Sequence, residues 1–122
     1  MKILIIDDSK AMRTFLGHLV SELHLASAEA DDGLHGLEVL RATPDIDVAL
    51  VDWDMPRMNG FEFVQAVRAD PRFAELKLMM VTTQNSMDRV AAALHAGAND
   101  FLMKPVSLES LEDKLRLLGV VA

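Results

Sequence analysis

Six polar residues that can do chemistry lie at or just after the ends of short apolar runs. They are three carboxylates, two hydroxyls and an ammonium: Asp7, Asp8, Asp52, Thr82, Thr83 and Lys104. Carboxylates that meet within a few ångströms repel one another, which raises their pKa values unless a cation is present. Mg²⁺ removes this conflict, because it prefers one or two carboxylates together with carbonyl, water and phosphate oxygens. The residue types therefore indicate a site for a hard divalent cation.

One of these carboxylates is also a candidate nucleophile. Asp52 ends the apolar stretch "DVALVD", and a carboxylate held by a strand can attack phosphorus to form an aspartyl phosphate. The cation, the Lys104 ammonium and the Thr82 hydroxyl would then neutralise or hydrogen-bond the oxygens of the transferred group. We therefore interpret Asp52 as a phosphoryl acceptor.

These residues come together only if the chain folds into a parallel sheet. The predicted strands are 2–6, 25–30, 48–52, 76–82 and 100–103. The predicted helices are one capped by Ser9, then 34–41, 61–69 and 84–96, and a last one capped by Ser107. This alternation predicts an α/β fold, a five-stranded parallel sheet with helices on both faces. In such sheets ligands bind beyond the carboxyl ends of the strands, where the candidate residues lie.

The composition is typical of an ordinary globular domain and excludes several classes of protein. The chain has 122 residues, of which 51% are hydrophobic, and fits one domain, 1–122. Its net charge of -7 argues against non-specific binding to nucleic acid. The absence of cysteine excludes a thiolate metal site, and no apolar run approaches the roughly 18 residues of a membrane span. We therefore expect a cytoplasmic protein that binds neither membrane nor nucleic acid.

Four segments, in this order, resemble the receiver domain of two-component response regulators. They are "IIDDSKAMR", "ALVDWDMPRMNG", "MMVTT" and "FLMKP". The resemblance covers essentially the whole chain and is strongest to stand-alone chemotaxis regulators of the CheY type. It implies a flavodoxin-like, doubly wound sheet with strand order 2-1-3-4-5. It also implies a signalling protein that catalyses only its own phosphorylation and dephosphorylation and is not an enzyme in the usual sense.

The resemblance implies a role for each acid. Asp52 would be phosphorylated by a sensor histidine kinase. Asp8 and Asp52 would bind Mg²⁺, for which Mn²⁺ can substitute, together with the backbone carbonyl of Asp54. Asp7 would assist through a water molecule.

The resemblance also implies a switch. Thr82 and Lys104 would contact the phosphoryl group, and a cis bond between Lys104 and Pro105 would aim the lysine. Phosphorylation would draw the Thr82 hydroxyl inward and change the packing of Phe101, which stands where a tyrosine is common. The face formed by the fourth helix, fifth strand and last helix, about 84–118, would then bind an effector protein, for which the family suggests a flagellar motor switch. A monomer is expected.

Some residues near the site keep two interpretations. Asp54 and Gln84 lie two residues past the acceptor and past the switch threonine, and the resemblance places both on the path of the attacking water. This leaves the lifetime of the phosphoryl group open. Arg13 is either a kinase contact or a solvated charge, and Phe101 is either a switch residue or an ordinary core aromatic.

Other residues are interpreted as structural. Asp31 and Asp32 follow a predicted edge strand and are expected in a solvated loop. Asp45 and Asp47 are expected to be turn residues around a proline. Phe15 belongs to the predicted apolar face of the first helix.

Three alternative functions remain. The "DWD" motif fits the Asp-x-Asp signature of haloacid-dehalogenase phosphatases, although it follows the third strand and the chain has no room for a cap. An EF-hand is disfavoured because Arg57 occupies the sixth loop position, which requires glycine. The third alternative keeps the fold but assigns it to a larger regulator, a hybrid kinase or a phosphorelay intermediate. The end of the chain directly after the last predicted helix favours a free-standing domain over that alternative.

Overall fold

The structure is a computed structural model that describes residues 1–83 and 87–121. Within these ranges five strands alternate with five α-helices. The strands are β1 (Lys2–Ile6), β2 (Ala26–Ala30), β3 (Ile46–Asp52), β4 (Lys77–Thr82) and β5 (Asp100–Met103). The helices are α1 (Lys10–Glu22), α2 (Gly33–Ala42), α3 (Gly60–Arg68), α4 (Met87–Ala96) and α5 (Leu108–Leu117). A short 3₁₀ turn, Pro71–Phe73, precedes β4.

The five strands form one parallel sheet in the order β2-β1-β3-β4-β5. This confirms the predicted doubly wound α/β fold. The strand order reverses between β1 and β3, and Ile6 pairs in register with Val51 there. Asp7 and Asp52 therefore leave the sheet side by side, at the point where open α/β sheets bind their ligands.

The central strands are buried on both faces, which explains why they read as continuous apolar runs. In β1, Ile3 and Ile5 pack into a cluster with α1 and α5, whereas Leu4 and Ile6 pack into a cluster with α2, α3 and α4. All four side chains are at most 1% exposed. Successive side chains of β1 are packed on opposite faces of the sheet. The end of this strand is therefore held in place, and the loop after Ile6 begins from a fixed position. No helix in the described ranges is both long and apolar enough to cross a lipid bilayer.

Some structural expectations are wrong at the edges of the elements. β3 begins at Ile46, which pairs with Lys2, so Asp47 is an exposed strand residue and not a turn residue. Phe15 is 44% exposed, because α1 contacts the sheet through its other apolar residues and Phe15 lies beyond that contact. The predicted start of the fourth helix falls at 84–86, outside the described residues.

Candidate functional site

Three carboxylates meet at the carboxyl edge of the sheet, between β1 and β3. Asp7, Asp8 and Asp52 each offer an oxygen, and these oxygens lie within 4.8 Å of one another. Their exposure differs: Asp7 is buried, Asp8 is exposed, and the Asp52 side chain is 13% exposed. The backbone N–H of Ser9, which caps α1, donates to Asp7 Oδ1 at 2.8 Å. The start of α1 therefore fixes Asp7, while Asp8 remains open to solvent.

Burial and mutual repulsion raise the pKa values of Asp7 and Asp52. Burial, followed by repulsion from Asp7, raises the pKa of Asp52 to about 6, although the Lys104 ammonium acts in the opposite direction. Burial also raises the pKa of Asp7, against the effect of the hydrogen bond from Ser9. The three hard oxygens fit the preferences of Mg²⁺, which would relieve this repulsion.

The raised pKa of Asp52 predicts how stability depends on pH. The folded state holds the Asp52 proton up to about pH 6, whereas the unfolded chain releases it near pH 3.8. Without metal, the free energy of unfolding is therefore expected to fall as pH rises through this window. In chelator, we subtract the melting temperature of an Asp52→Asn variant from that of the wild type. This difference should be more negative at about pH 7 than at about pH 4. A difference between the two proteins that is independent of pH would contradict the raised pKa.

The two strands beyond β3 bring a cation and a hydroxyl to the same edge of the sheet, where the Thr82 hydroxyl lies 3.4 Å from the Thr83 carbonyl. Lys104 follows β5, and its Nζ lies 3.5 Å from Asp52 Oδ1. The peptide bond between Lys104 and Pro105 is cis. Thr82 is the buried last residue of β4, and its carbonyl accepts a 2.6 Å hydrogen bond from the Lys104 N–H. The backbone thus ties the lysine to the strand that carries the hydroxyl.

Arg13 of α1 contacts the site in a way that the sequence did not predict. Its Nη1 donates to the backbone carbonyl of Asp7 at 2.6 Å, and its Nε donates to Glu29 of β2 at 3.0 Å. The Arg13 side chain is only 15% exposed, so its interpretation as a solvated charge is wrong. Arg13 holds the Asp7 backbone from the β2 side, and its interpretation as a kinase contact stays a prediction.

The residues after Asp52 contact α4. Arg89 Nη1 lies 2.9 Å and 3.0 Å from the two carboxylate oxygens of Asp54, and the guanidinium lies 5.4 Å from the centre of the Trp53 ring. The Asp54 side chain is 75% exposed. No sequence signal marked this pair, because its members are far apart in the chain. Gln84, the second residue assigned to the path of water, lies outside the described residues.

The expectation that Asp32 lies in a solvated loop is wrong. Its carboxylate is 4% exposed, accepts from the His35 N–H to cap α2, and pairs with Arg57. The cause is the loop after β3, which folds back over the start of α2 and covers the carboxylate. Asp31 is exposed, as predicted, and its carboxylate lies 3.0 Å from His35 Nδ1.

Phe101 on β5 is partly buried and packs against the cluster beneath α2, α3 and α4. Lys114 Nζ lies 4.6 Å from the centre of its ring and 2.8 Å from Asp100 Oδ1. Phe101 therefore has an apolar side within the core and a cationic contact outside it. Its role as a switch stays a prediction.

Comparisons with known proteins agree with this geometry. A family model described as "Response regulator receiver domain" matches residues 3–116. Chemotaxis protein CheY1 of Helicobacter pylori is 40% identical over 118 residues, which are 96% of this chain and 95% of that protein. The structure of Vibrio cholerae chemotaxis protein CheY4 aligns with TM-score 0.88 and 32% identity over 96% of this chain and 97% of that one. A probable two-component system response regulator/GGDEF domain protein aligns with TM-score 0.91 and 27% identity over 97% of this chain and 48% of that one.

Proposed function

The chain belongs to the family of response regulator receiver domains, and on this premise we propose that Asp52 is its phosphoryl acceptor. Receiver domains serve two-component signalling as switches, and the CheY-like relatives suggest a chemotaxis-type pathway. The observation that carries the proposal is the largely buried Asp52 carboxylate, 3.5 Å from the Lys104 ammonium and beside two further acids. The fold and family give no support to the phosphatase or the EF-hand.

In the proposed reaction, an Asp52 carboxylate oxygen attacks the phosphorus of a phosphohistidine on a sensor histidine kinase. A new P–O bond forms, the P–N bond breaks, and the leaving histidine nitrogen keeps the electron pair and takes up a proton. Lys104 faces the acceptor and neutralises charge on the phosphoryl oxygens, while the Thr82 hydroxyl donates to one of them.

The acids are proposed to hold Mg²⁺, or Mn²⁺ in its place. Asp8 and Asp52 would bind it directly, Asp7 through water, and Asp54 through its backbone carbonyl. When bound, the ion supplies positive charge that offsets the repulsion between the carboxylates and the incoming phosphoryl group. The three clustered oxygens and the raised pKa values of Asp7 and Asp52 support this assignment.

Phosphorylation is proposed to act on the face formed by α4, β5 and α5. The Thr82 hydroxyl would move toward the phosphoryl group and the packing of Phe101 would change, so that this face binds an effector protein such as a flagellar motor switch. Water would later remove the phosphoryl group along a path lined by Asp54 and Gln84. Residues 1–122 are proposed to act as one monomeric domain in the cytoplasm.

Intact-mass measurement with acetyl phosphate as donor tests this proposal. With Mg²⁺ the protein should gain one phosphoryl group, and with a chelator it should gain none. Trp53 is the only tryptophan and follows Asp52, so its fluorescence should also respond to beryllofluoride in the presence of Mg²⁺. An unchanged mass at saturating donor and Mg²⁺ would refute the proposal.

A second candidate keeps this chemistry and changes the context. The aligned response regulator/GGDEF protein carries the same fold in a chain about twice as long. In this candidate the domain serves a larger regulator, a hybrid kinase or a phosphorelay. A genomic reading frame that continues beyond residue 122 would favour this candidate.

A further inference from the structure

The segment between β3 and α3, residues 53–59, follows the proposed acceptor directly. It includes Asp54, whose backbone carbonyl is a proposed metal ligand. One backbone hydrogen bond lies within the segment, from the Met58 N–H to the Pro56 carbonyl at 2.6 Å. Another joins the segment to the first residue of α3, from the Gly60 N–H to the Trp53 carbonyl at 2.8 Å. The segment belongs to neither β3 nor α3, so its position depends on contacts with other parts of the chain.

An ion pair with Asp32 provides one such contact. Arg57 Nε lies 2.6 Å from Asp32 Oδ2, and Arg57 Nη2 lies 3.1 Å from Asp32 Oδ1. The carboxylate is itself fixed, because it is 4% exposed and also accepts from the His35 N–H at 2.9 Å. A guanidinium that forks onto a fixed carboxylate has little freedom to move. The pair therefore fastens residues 53–59 to the start of α2.

The backbone reinforces this contact. The Gly33 N–H donates to the Met58 carbonyl at 3.1 Å, and a Cβ at Gly33 would lie only 2.6 Å from Met58 Cγ. Arg57 has φ of 62°, a left-handed conformation that is unfavourable for a residue with a side chain. In this conformation its side chain pairs with Asp32. The close approach and the unusual backbone both distinguish the pair from an ordinary surface salt bridge.

From these contacts we infer that Asp32 and Arg57 are positioning residues, whose ion pair holds the Asp54 backbone where it can bind Mg²⁺. The inference rests on the proposed function, because it takes the metal site from there. Neither residue is a proposed metal ligand. Both act through residues 53–59, and loosening these residues weakens the binding of Mg²⁺ because more conformational freedom must be lost when it binds.

The variant Arg57→Lys tests this inference. Lysine keeps the positive charge at position 57, so the long-range electrostatic effect of this residue on Mg²⁺ is unchanged. Its ammonium, however, cannot reproduce the two-pronged contact. The dissociation constant for Mg²⁺ is expected to rise about tenfold, the lower end for groups that orient metal ligands. Trp53 fluorescence and calorimetric titration with Mg²⁺ would both measure it. Arg72→Lys is the matched control, because Arg72 makes a similar exposed pair with Asp70 outside the site and should leave the constant unchanged.

A second variant keeps the test informative. Asp32→Asn retains a good cap for α2 but loses the ion pair, so it should weaken Mg²⁺ binding as well. If the pair acts as a unit, the double variant binds Mg²⁺ no more weakly than the weaker of the two single variants. A lower melting temperature with unchanged Mg²⁺ affinity in Arg57→Lys would overturn the inference alone. A wild-type protein that shows no binding in either titration would overturn both the inference and the proposed metal site.

Discussion

Asp52→Ala is expected to abolish the uptake of a phosphoryl group from acetyl phosphate, whereas the wild-type protein gains one group in Mg²⁺. The physical reason is that Asp52 alone among the three acids combines access with a facing cation. Asp7 is buried and its Oδ1 accepts from Ser9, so it cannot turn toward a donor. Asp52 is partly exposed at the end of β3, and Lys104 faces it at 3.5 Å. Intact-mass measurement over time would compare the two proteins.

The variant should remain folded, which makes the result interpretable. The pKa of Asp52 is raised by burial and by repulsion from Asp7, so removal of its carboxylate relieves an unfavourable interaction in the metal-free protein. Asp47→Ala is the matched control, because Asp47 lies on the same strand but is exposed and belongs to no part of the site. Uptake by Asp52→Ala at the wild-type rate would show that another residue is the acceptor, and peptide mapping would identify that residue.

The sequence was sufficient to predict the fold and the convergence of the acids. Strands buried on both faces leave a continuous apolar run. An aspartate follows the run of β1 directly, at Asp7, and another ends β3, at Asp52. In a parallel sheet the carboxyl ends of neighbouring strands lie together, so Asp7 and Asp52 had to meet once these strands were adjacent. The roles of these residues in binding metal and phosphate stay predictions.

Contacts between distant loop residues could not be predicted in the same way. The pairs Asp32–Arg57 and Asp54–Arg89 join loops or helix surfaces, where no periodic pattern fixes which side chains meet. Charged residues after an edge strand are usually solvated, and this general rule misled the interpretation of Asp32. Its burial depends on how the segment after β3 folds back, which is a property of the tertiary structure.

Arg68 also makes contacts between distant parts of the chain, at the amino edge of the sheet, opposite the edge that carries the acids. Its Nε donates to the Gly97 carbonyl, its Nη1 to the Phe73 carbonyl, and its Nη2 to the Leu76 carbonyl and to Asn99 Oδ1, all at 2.7 to 3.0 Å. Burial lowers the pKa of Arg68, which indicates that its charge is partly removed from water. One side chain thus connects the end of α3 with the segments before β4 and β5.

Arg68→Met is therefore expected to lower the free energy of unfolding by about 3 kcal/mol. Methionine keeps much of the aliphatic stem but loses all four hydrogen bonds, and each hydrogen bond from a charged group contributes about 1.5–3 kcal/mol when buried. Partial exposure lets water replace some of these bonds, so the expected loss corresponds to about two of the four at the lower value. Urea denaturation followed by circular dichroism would measure the change.

Arg72→Met is the matched control for this prediction. Arg72 is four residues further along the chain, its side chain is 64% exposed, and its hydrogen bonds run to Asp70 alone among its described partners. Exposed pairs contribute little to stability, so the urea midpoint of this variant should stay close to wild type. Equal midpoints for the Arg68 and Arg72 variants would mean that water satisfies the carbonyls as well as the guanidinium does. A loss confined to Arg68→Met would show that this side chain holds three segments of the fold together.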